Sequence, residues 1–313
     1  SACVAEYDIG RVVACKGIAE GIENTNYLLV TDRGRFILTL YEKRVRQEDV
    51  PSFLGLMDHL AQRGIPCPTP VHGRDGRALR ALNHKKAAIV TFLTGMWPRR
   101  PAVRHCRPLG EALARLHLAG HDFPSRRAND LSVRGWRPLF EASAKRREDV
   151  SSDLADELAG ELDKLEAFWP TALPVGVIHA DLFPDNVFFE NEHLSGLIDF
   201  YFACTDFLAY DLAICLTAWC FVPDGSFHVT KARHLFAGYQ SVRPLEAAEW
   251  EALPILALGA AMRFLLTRLY DWLHTPKNAL VTPKNPMEYL RKLRFHRGVR
   301  QPAGYGLDPR DVG

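Results

Sequence analysis

Alternating and short continuous apolar runs predict that the first third of the chain is rich in strands. The runs at 26–31 and 35–42 flank the turn-forming Asp-Arg-Gly of 32–34, which predicts a hairpin. Between 48 and 63, apolar side chains recur at three- and four-residue spacing, which predicts a helix. Two more strands are predicted at 78–82 and 87–93.

Beyond Gly95 the apolar positions follow a helical period instead. The helices predicted there lie around 109–116, 154–168, 208–221, 231–242 and 253–273. Two short strand-like runs, at 175–179 and 194–200, interrupt the helical part. We therefore expect an α+β protein with a sheet-bearing lobe at 1–93 and a mainly helical lobe at 94–313.

The composition is that of an ordinary globular protein. Of the 313 residues, 47% are hydrophobic and 24% are charged, which argues against a disordered or fibrous chain. The formal net charge is +2 and the basic residues are scattered, so we expect no nucleic-acid partner. The seven cysteines include no C-x-x-C pair, which favours reduced thiols in a cytoplasmic protein.

The sequence also predicts no membrane role. Its first residues lack the basic start and apolar core of a secretory signal. The most apolar long run, 252–262, contains Pro254 near the start of a predicted helix and stops at Arg263. It is therefore shorter than the roughly 20 residues that a spanning helix needs.

Carboxylates are concentrated in one apolar segment, 177–213. Between two strand-like runs, His179 is followed by Asp181 and, after four intervening residues, by Asn186, while Asp199 ends the next run. This order is H-x-D-x-x-x-x-N followed by D-F, the spacing of a kinase catalytic loop and its metal-binding strand. Phosphoryl transfer needs a carboxylate that positions the acceptor hydroxyl and oxygen ligands that hold Mg²⁺ on the nucleotide phosphates. The pattern therefore predicts Asp181 as the catalytic base and Asn186 and Asp199 as metal ligands.

Each aspartate of this segment would, alone, be ordinary at a turn or a strand end. We assign Asp185 to structure and expect His179 to brace the loop by hydrogen bonds. Asp211 lies just inside a predicted helix start, where a carboxylate interacts favourably with the helix dipole, and it is also assigned to structure. The role of Asp206 stays open.

Small residues ahead of the first hairpin predict an anion site. The segment 16–26 combines glycines with small polar side chains, which lets backbone N–H groups approach a phosphate. The candidate cofactor-binding residues of this segment are Gly17, Gly21, Asn24, Thr25 and Asn26.

Several of these motifs carry a family resemblance. "HADLFPDNVFF", "GLIDFYFA" and "AYDLA" resemble the aminoglycoside-phosphotransferase-like kinases, whose usual loop reads H-G-D-L-H-x-x-N followed by I-D-F or I-D-W. With "KGIAEGIENTNYLLV", "AYDLAICLTAWCF" and "RFLLTRLYDW", the chain is similar over about 16–297 to the homoserine kinases within that superfamily.

This resemblance implies a bilobal protein-kinase-like fold, with an antiparallel sheet and one helix in the first lobe and helices in the second. It implies ATP and Mg²⁺ as cofactors and L-homoserine as the phosphate acceptor, a step on the way to threonine. The glycine-containing segment would cover the phosphates. The linker at 91–95 would offer backbone groups to adenine, with Thr91 and Leu93 as the candidate residues.

The chain departs from the wider kinase pattern in one pair of positions. Kinases normally place a Lys or Arg on the third strand, paired with a helix Glu, to hold the phosphates. Thr39 and Phe53 occupy these positions here. The loss of both charges together is physically reasonable, because either charge alone would be buried without a partner. Lys16 is one candidate replacement, and otherwise loop amides, Mg²⁺ and the Thr39 hydroxyl would neutralise the nucleotide.

An amino-acid acceptor needs a cation for its carboxylate, and Arg is the usual partner. Arg263 and Arg268 lie in an otherwise apolar run, where an unpaired charge is costly. For each arginine a structural salt bridge is the favoured alternative. Tyr201 lies two residues after Asp199 and points to the same strand side. The candidate substrate residues are Tyr201, Asp206, Arg263 and Arg268.

Two other functions stay open. A different small-molecule kinase of the superfamily, acting on choline, an aminoglycoside or methylthioribose, would share the loop and differ in its acceptor site. A non-catalytic nucleotide-binding module would explain the absent Lys–Glu pair, but the retained Asp181 argues against it. His117 and His121 lack the glutamate of an H-E-x-x-H metal helix, so a helix end with one core histidine explains them better.

Overall fold

The computed structural model describes residues 2–18, 24–42, 46–82, 84–144, 152–275, 282–308 and 310. The chain forms two compact units that interleave along the sequence. The first, called the sheet unit, comprises Ser1–Pro98, Ala119–Ser125 and Asp185–Ala203. The second, called the helical unit, comprises Arg99–Leu118, Arg126–Pro184 and Cys204–Gly313. The division into lobes at residue 93 stays a prediction.

The sheet unit is built on an antiparallel five-stranded sheet in the order β1-β2-β3-β5-β4, as its described residues show. The strands are β1 (Val12–Ile18), β2 (Asn24–Thr31), β3 (Gly34–Tyr41), β4 (Leu79–Leu82) and β5 (Lys85–Thr91). The hairpin predicted from the apolar runs is β2 and β3. Strand β1 was not predicted, because as an edge strand it is exposed along most of its length and lacks an alternating apolar pattern.

The sheet unit also contains a helix and a separate hairpin. Helix α1 (Val50–Gln62) buries the apolar stripe that predicted it, including Phe53, Leu56 and Leu60. Strands β7 (Val187–Glu190) and β8 (His193–Leu197) form an antiparallel hairpin. The strand predicted at 194–200 therefore ends at Leu197, and a 3₁₀ turn at Phe200–Phe202 follows.

The other helices are α2 (Val103–Ala119), α3 (Val133–Ala144), α4 (Ser152–Phe168), α5 (Leu208–Trp219), α6 (Val229–Gln240), α7 (Ala247–His274) and α8 (Met287–Gly298). Strands β6 (Val175–Ile178) and β9 (Cys204–Phe207) pair antiparallel in the helical unit. Helices α3 and α8 were not predicted. Pro138 interrupts the pattern of α3, and α8 carries charged residues at five of its twelve positions, although its buried side chains recur at helical spacing.

Helix α7 is longer than predicted. It begins at Ala247, where the side chains of Glu246 and Glu249 form a reciprocal capping box. Pro254 therefore lies inside the helix, and its predicted place near the helix start is wrong. Among the described residues, this helix alone is long and apolar enough to cross a membrane, and 72% of its most apolar window is buried within the protein. That burial accounts for its apolar composition.

Candidate active site

The loop that follows β6 is fixed by one buried carboxylate. Asp211, in the first turn of α5, is fully buried and accepts the backbone N–H of His179 at 2.7 Å and of Ala180 at 2.9 Å. It also bonds to Nε2 of His117 on α2, at 3.1 Å. Asp211 is thus structural, as predicted, and it acts by direct contact with the candidate catalytic loop.

The electrostatics of Asp211 agree with this contact. Burial acts to raise the pKa of the Asp211 carboxyl, but the hydrogen bond and positive potential of His117 and the donated N–H of His179 outweigh it, and the pKa is lowered from its ordinary value. His117 is itself buried, and its Nδ1 lies 2.7 Å from the hydroxyl of Tyr239. His121 is exposed, so His117 is the one core histidine expected of this pair.

The candidate base Asp181 lies in a tight turn of this loop. Its N–H donates to Nδ1 of His179 at 3.2 Å, and its carbonyl accepts the N–H of Phe183 at 2.8 Å. The residue between, Ala180, has φ 64° where the family pattern has glycine. A left-handed alanine costs roughly 1 kcal/mol, and the contacts of the loop must hold it in place.

Arg263 supplies one of these contacts. Its guanidinium is almost fully buried and donates from Nη1 to the carbonyl oxygen of Ala180 at 2.6 Å. It also lies over the ring of Phe264, with Cζ 4.6 Å from the ring centroid. The structure therefore places this predicted substrate residue against the backbone of the loop, and a role toward substrate stays a prediction.

The two predicted metal ligands lie together in the sheet unit. The carbonyl of Asn186 accepts the N–H of Ile198 at 3.0 Å, which brings Asn186 beside the residue that precedes Asp199. Asp199 has φ 68°, a conformation that ends the strand direction and starts the following 3₁₀ turn.

An amide oxygen and a carboxylate are hard donors of the kind that Mg²⁺ accepts. Within the described ranges, no group of three or more His, Cys, Asp or Glu side chains could hold a metal by itself. Magnesium is commonly held by one or two protein oxygens together with substrate phosphates. The pair Asn186 and Asp199 therefore fits a metal shared with a nucleotide.

Aromatic side chains surround Phe53, the predicted position of the absent helix glutamate. The ring of Tyr201 lies edge-on to those of Tyr41 and Phe53, with centroids 5.7 and 6.0 Å apart. Burial raises the pKa of the Tyr201 phenol far above its ordinary value, and the Asp199 carboxylate adds to that rise. Tyr201 thus packs on Phe53 within the sheet unit, while the absence of the ion pair and the contact of Tyr201 with substrate stay predictions.

The polar side chains predicted to bind the nucleotide have partners within the sheet. Asn26 Oδ1 accepts the hydroxyl of Thr39 at 2.8 Å, and Thr25 donates to Glu42 at 2.8 Å. Asn24 Oδ1 accepts the N–H of Glu42 at 3.3 Å. These bonds tie β2 to β3 where the predicted phosphate segment enters the sheet.

The described parts of the glycine-containing segment, 16–18 and 24–26, lie on strands. Gly17 is exposed on β1, opposite Tyr27 on β2, and Lys16 is exposed beside it. Gly21 lies outside the described residues. The end of β1 and the start of β2 therefore pair antiparallel, and the predicted contact of this segment with phosphates stays a prediction.

The predicted adenine linker is held against the β7–β8 hairpin. The carbonyl of Thr94 accepts the hydroxyl of Ser195 at 2.8 Å, and Leu93 packs so closely on Gly196 that a Cβ there would lie 2.7 Å from Leu93 Cδ1. The N–H of Thr91 is already donated to Thr69 at 2.9 Å. In the described part of the chain, Leu93 makes no backbone hydrogen bond, so of the two candidates it is the one whose backbone remains available.

The last two predicted substrate residues are both paired. Asp206 accepts Nδ2 of Asn129 and the N–H of Phe207, each at 2.8 Å. Arg268 on α7 pairs with Glu288 on α8 at 2.7 Å. Sequence reasoning missed Glu288 because α8 was not predicted; the apolar spacing of its buried positions was the available signal.

Solved structures share this fold. An amicoumacin kinase determined with AMP-PNP and Ca²⁺ superposes with a TM-score of 0.71 at 15% identity, covering 100% of this chain and 96% of that one. A microcompartment-associated aminopropanol kinase superposes with a TM-score of 0.70 at 19% identity, covering 95% and 93%. The predicted α+β, kinase-like fold is thereby confirmed.

The sequence comparisons agree along nearly the whole chain. The homoserine kinase of Rhodospirillum rubrum is 67% identical over 96% of this chain and 94% of its own length. That of Paramagnetospirillum magneticum is 65% identical over 97% and 95%. The model of the phosphotransferase enzyme family, APH, matches residues 14–245. This chain therefore belongs to the APH phosphotransferase enzyme family.

Proposed function

We propose that the chain transfers the γ-phosphoryl group of ATP to the side-chain hydroxyl of L-homoserine, forming O-phospho-L-homoserine and ADP. The observation that carries this proposal is the identity of 58 to 67% with proteins named homoserine kinase, over nearly the full chain. The loop motif of Asp181, Asn186 and Asp199, retained in order and spacing, supports it.

Asp181 orients the acceptor hydroxyl and takes its proton as the oxygen attacks the γ-phosphorus. The bond from the γ-phosphorus to the bridging oxygen breaks, and ADP leaves with that electron pair. Asp211 and Arg263 hold the backbone on which Asp181 is mounted, so positioning rather than covalent chemistry is the contribution of the protein.

Asn186 and Asp199 would hold Mg²⁺, which when bound neutralises phosphate charge and aligns the nucleotide. With Thr39 in place of the strand lysine, the chain has no cation at that position. Backbone N–H groups near Gly17 and Asn26 would then take a larger share of phosphate binding than in kinases that keep the ion pair.

We also propose a cytoplasmic location for this activity. The described cysteines at 15, 67, 106, 204, 215 and 220 are free thiols. Such thiols are compatible with a reducing compartment.

The test measures ADP release with Mg-ATP and a panel of L-homoserine, L-serine, L-threonine, choline and kanamycin. We expect the highest kcat/KM with L-homoserine. A higher value with choline or kanamycin would assign the chain to another small-molecule kinase. Absence of turnover with every acceptor would favour a nucleotide-binding module.

The matched pair Asp181→Asn and Asp185→Asn tests the role of the base. Asp185 is an exposed aspartate of the same loop, so its variant makes the same chemical change without touching the proposed base. Asp181→Asn should lower kcat by at least about 100-fold while ATP still binds, since a general base contributes on the order of 10² to 10⁴. Near-normal turnover of Asp181→Asn would remove that residue from its proposed role.

A further inference from the structure

Three charged side chains lie around one tyrosine where α7 and α8 pack in the helical unit. Arg268 donates to Glu288 Oε2 at 2.7 Å, and Lys292 donates to Glu288 Oε1 at 2.9 Å. Both cations also lie over the ring of Tyr289, at 4.3 Å for Arg268 Cζ and 4.4 Å for Lys292 Nζ. We call Arg268, Glu288, Tyr289 and Lys292 the α7–α8 charge cluster.

An aromatic layer connects this cluster to the loop of the candidate base. Phe183 follows Asp181 by two residues, and its ring centroid is 6.4 Å from that of Tyr289 and 4.7 Å from that of Phe264. Burial raises the pKa of the Tyr289 phenol, and the negative charges of Glu288 and Asp181 add to the rise. Tyr289 therefore lies within electrostatic range of the loop aspartate.

The charge balance of the cluster leaves room for a second anion. Two cations share one carboxylate, so the formal sum of Arg268, Lys292 and Glu288 is +2 − 1 = +1. The side chain of Lys292 is only 7% exposed, and burial lowers its pKa although Glu288 opposes the shift. A salt bridge that served only to join the two helices would need one cation, and the additional buried one is costly unless another anion meets it.

Tyr289 carries a second sign of a missing ligand. Its hydroxyl is fully buried, and the described residues supply no hydrogen-bond partner to it. Buried polar groups in proteins are normally paired, and an unpaired hydroxyl is destabilising compared with phenylalanine. A ligand oxygen would supply the acceptor that the chain itself does not.

We propose that the α7–α8 charge cluster binds the amino-acid head of the phosphate acceptor. Arg268 and Lys292 bind its α-carboxylate together with the hydroxyl of Tyr289, and Glu288, whose side chain is 48% exposed, accepts the ammonium group. An α-amino acid carries both charges on one carbon, which matches two cations and one carboxylate in contact. This inference rests on the proposed function.

The first test measures binding without turnover. L-2-Aminobutanoate carries both charged groups of L-homoserine but has no hydroxyl to phosphorylate. Its dissociation constant, measured by titration calorimetry with saturating Mg-ADP, should rise about 10- to 100-fold in Arg268→Met, as expected for lost hydrogen bonds to a charged group. The matched control is Arg294→Met, because Arg294 is an exposed cation on α8 that pairs with Glu157, outside the cluster. The control should bind like the wild type.

The second test uses Tyr289→Phe, which removes only the hydroxyl. A purely structural Tyr289 predicts unchanged kinetics and an equal or higher Tm, because the variant deletes an unpaired buried group. We expect the Tm to be maintained and the KM for L-homoserine to rise by about 10-fold, with a smaller change in the KM for ATP. The Tyr289→Phe result decides the inference even if Arg268→Met fails to fold.

The outcomes separate this inference from the proposed function. If the wild type phosphorylates no acceptor, the proposed function is contradicted, and the inference about the cluster falls with it. If the wild type phosphorylates L-homoserine while Arg268→Met and Tyr289→Phe bind and use it as the wild type does, the inference about the cluster is overturned alone.

An acceptor without a carboxylate, 3-amino-1-propanol, gives a further readout, because Arg268→Met should lower the preference for L-homoserine over it at least about 10-fold.

Discussion

At the scale of single residues, the clearest predicted difference from other kinases is a neutral side chain where a strand lysine is expected. Thr39 stands where the strand lysine is expected and is buried, with 3% of its surface exposed. Its hydroxyl donates to Asn26 Oδ1 at 2.8 Å, and the ring of Tyr201 lies edge-on to Phe53, the predicted position of the absent glutamate. Neutral side chains at both predicted positions avoid leaving one buried charge without a partner.

A lysine at position 39 without an acidic partner should therefore destabilise the folded protein. Thr39→Lys buries a cation beside Phe53, which cannot pair with it, so we expect the free energy of unfolding to fall by about 3 kcal/mol or more. Thr39→Ser, which keeps the hydroxyl and its bond to Asn26, is the matched control and should cost about 1 kcal/mol or less. Urea unfolding of both variants measures the difference, and equal stabilities would show that a cation is tolerated there.

At the scale of elements, a line of polar contacts joins four helices, α7, α6, α2 and α5, to the catalytic loop. Arg243 pairs with Glu249 of the α7 capping box at 3.0 Å and donates to the hydroxyl of Tyr239 at 3.2 Å. That hydroxyl meets His117 of α2, and His117 meets Asp211, which holds the loop. The orientation of the loop thus depends on the packing of α2, α5, α6 and α7, not on the loop sequence alone.

Asp211→Asn tests this dependence. The two carboxylate oxygens of Asp211 accept the backbone N–H groups of His179 and Ala180. In the variant one of these oxygens becomes an NH₂ group, which cannot accept a hydrogen bond. One buried backbone N–H therefore loses its acceptor. We expect an unfolding free energy lower by about 2 to 4 kcal/mol. We also expect a drop in kcat that exceeds any rise in the KM for ATP.

The comparison variant is Asp206→Asn. Asp206 is also an aspartate with a backbone N–H and a side-chain amide as partners, but it lies outside the His117 contacts. Its loss of stability should be about 1 kcal/mol. If the two variants lose stability and kcat equally, Asp211 has no special role in holding the loop.

The sequence predicted the elements whose pattern is local. Helix α1 and the later helices α4 to α6 have apolar stripes that can be read from their own residues. Strand β1 is exposed along most of its length, and in α8 four Arg and Lys residues interrupt the apolar positions, so neither has a strong apolar pattern. The assignment of Asp211 to structure was right for an incomplete reason, because its partner His117 lies 94 residues away in the chain. Contacts of that separation depend on tertiary packing, which one sequence does not specify.

At the scale of the whole molecule, the stability of the fold should depend on pH through one buried histidine. His296 on α8 is 1% exposed, and its ring nitrogens lie 2.8 Å from the hydroxyl of Tyr305 and 3.2 Å from that of Thr217. Burial lowers its pKa from 6.5 to about 3, and the positive charge of Lys292 adds to the shift. The folded protein therefore keeps His296 neutral at pH values where the unfolded chain binds a proton.

The sign of the pH effect follows from that difference. Well above pH 6.5 both states hold His296 neutral, and its contribution to stability is complete and constant. As the pH falls from 6.5 toward 3, the unfolded chain gains a proton that the folded protein does not, and the free energy of unfolding falls by up to about 1.4 kcal/mol per pH unit. The lowered pKa of Glu288, from 4.5 to about 2, adds a similar loss only at lower pH.

His296→Gln removes this proton site while keeping an amide near Tyr305 and Thr217. Between pH 6.5 and 5 its unfolding free energy should fall less steeply than that of the wild type, by about 1 kcal/mol per pH unit. His234→Gln removes an exposed histidine and should retain the wild-type slope. Urea unfolding at several pH values gives the three slopes. If the slope of His296→Gln equals that of the wild type, His296 is protonated in the folded protein, and its burial is offset by a partner charge.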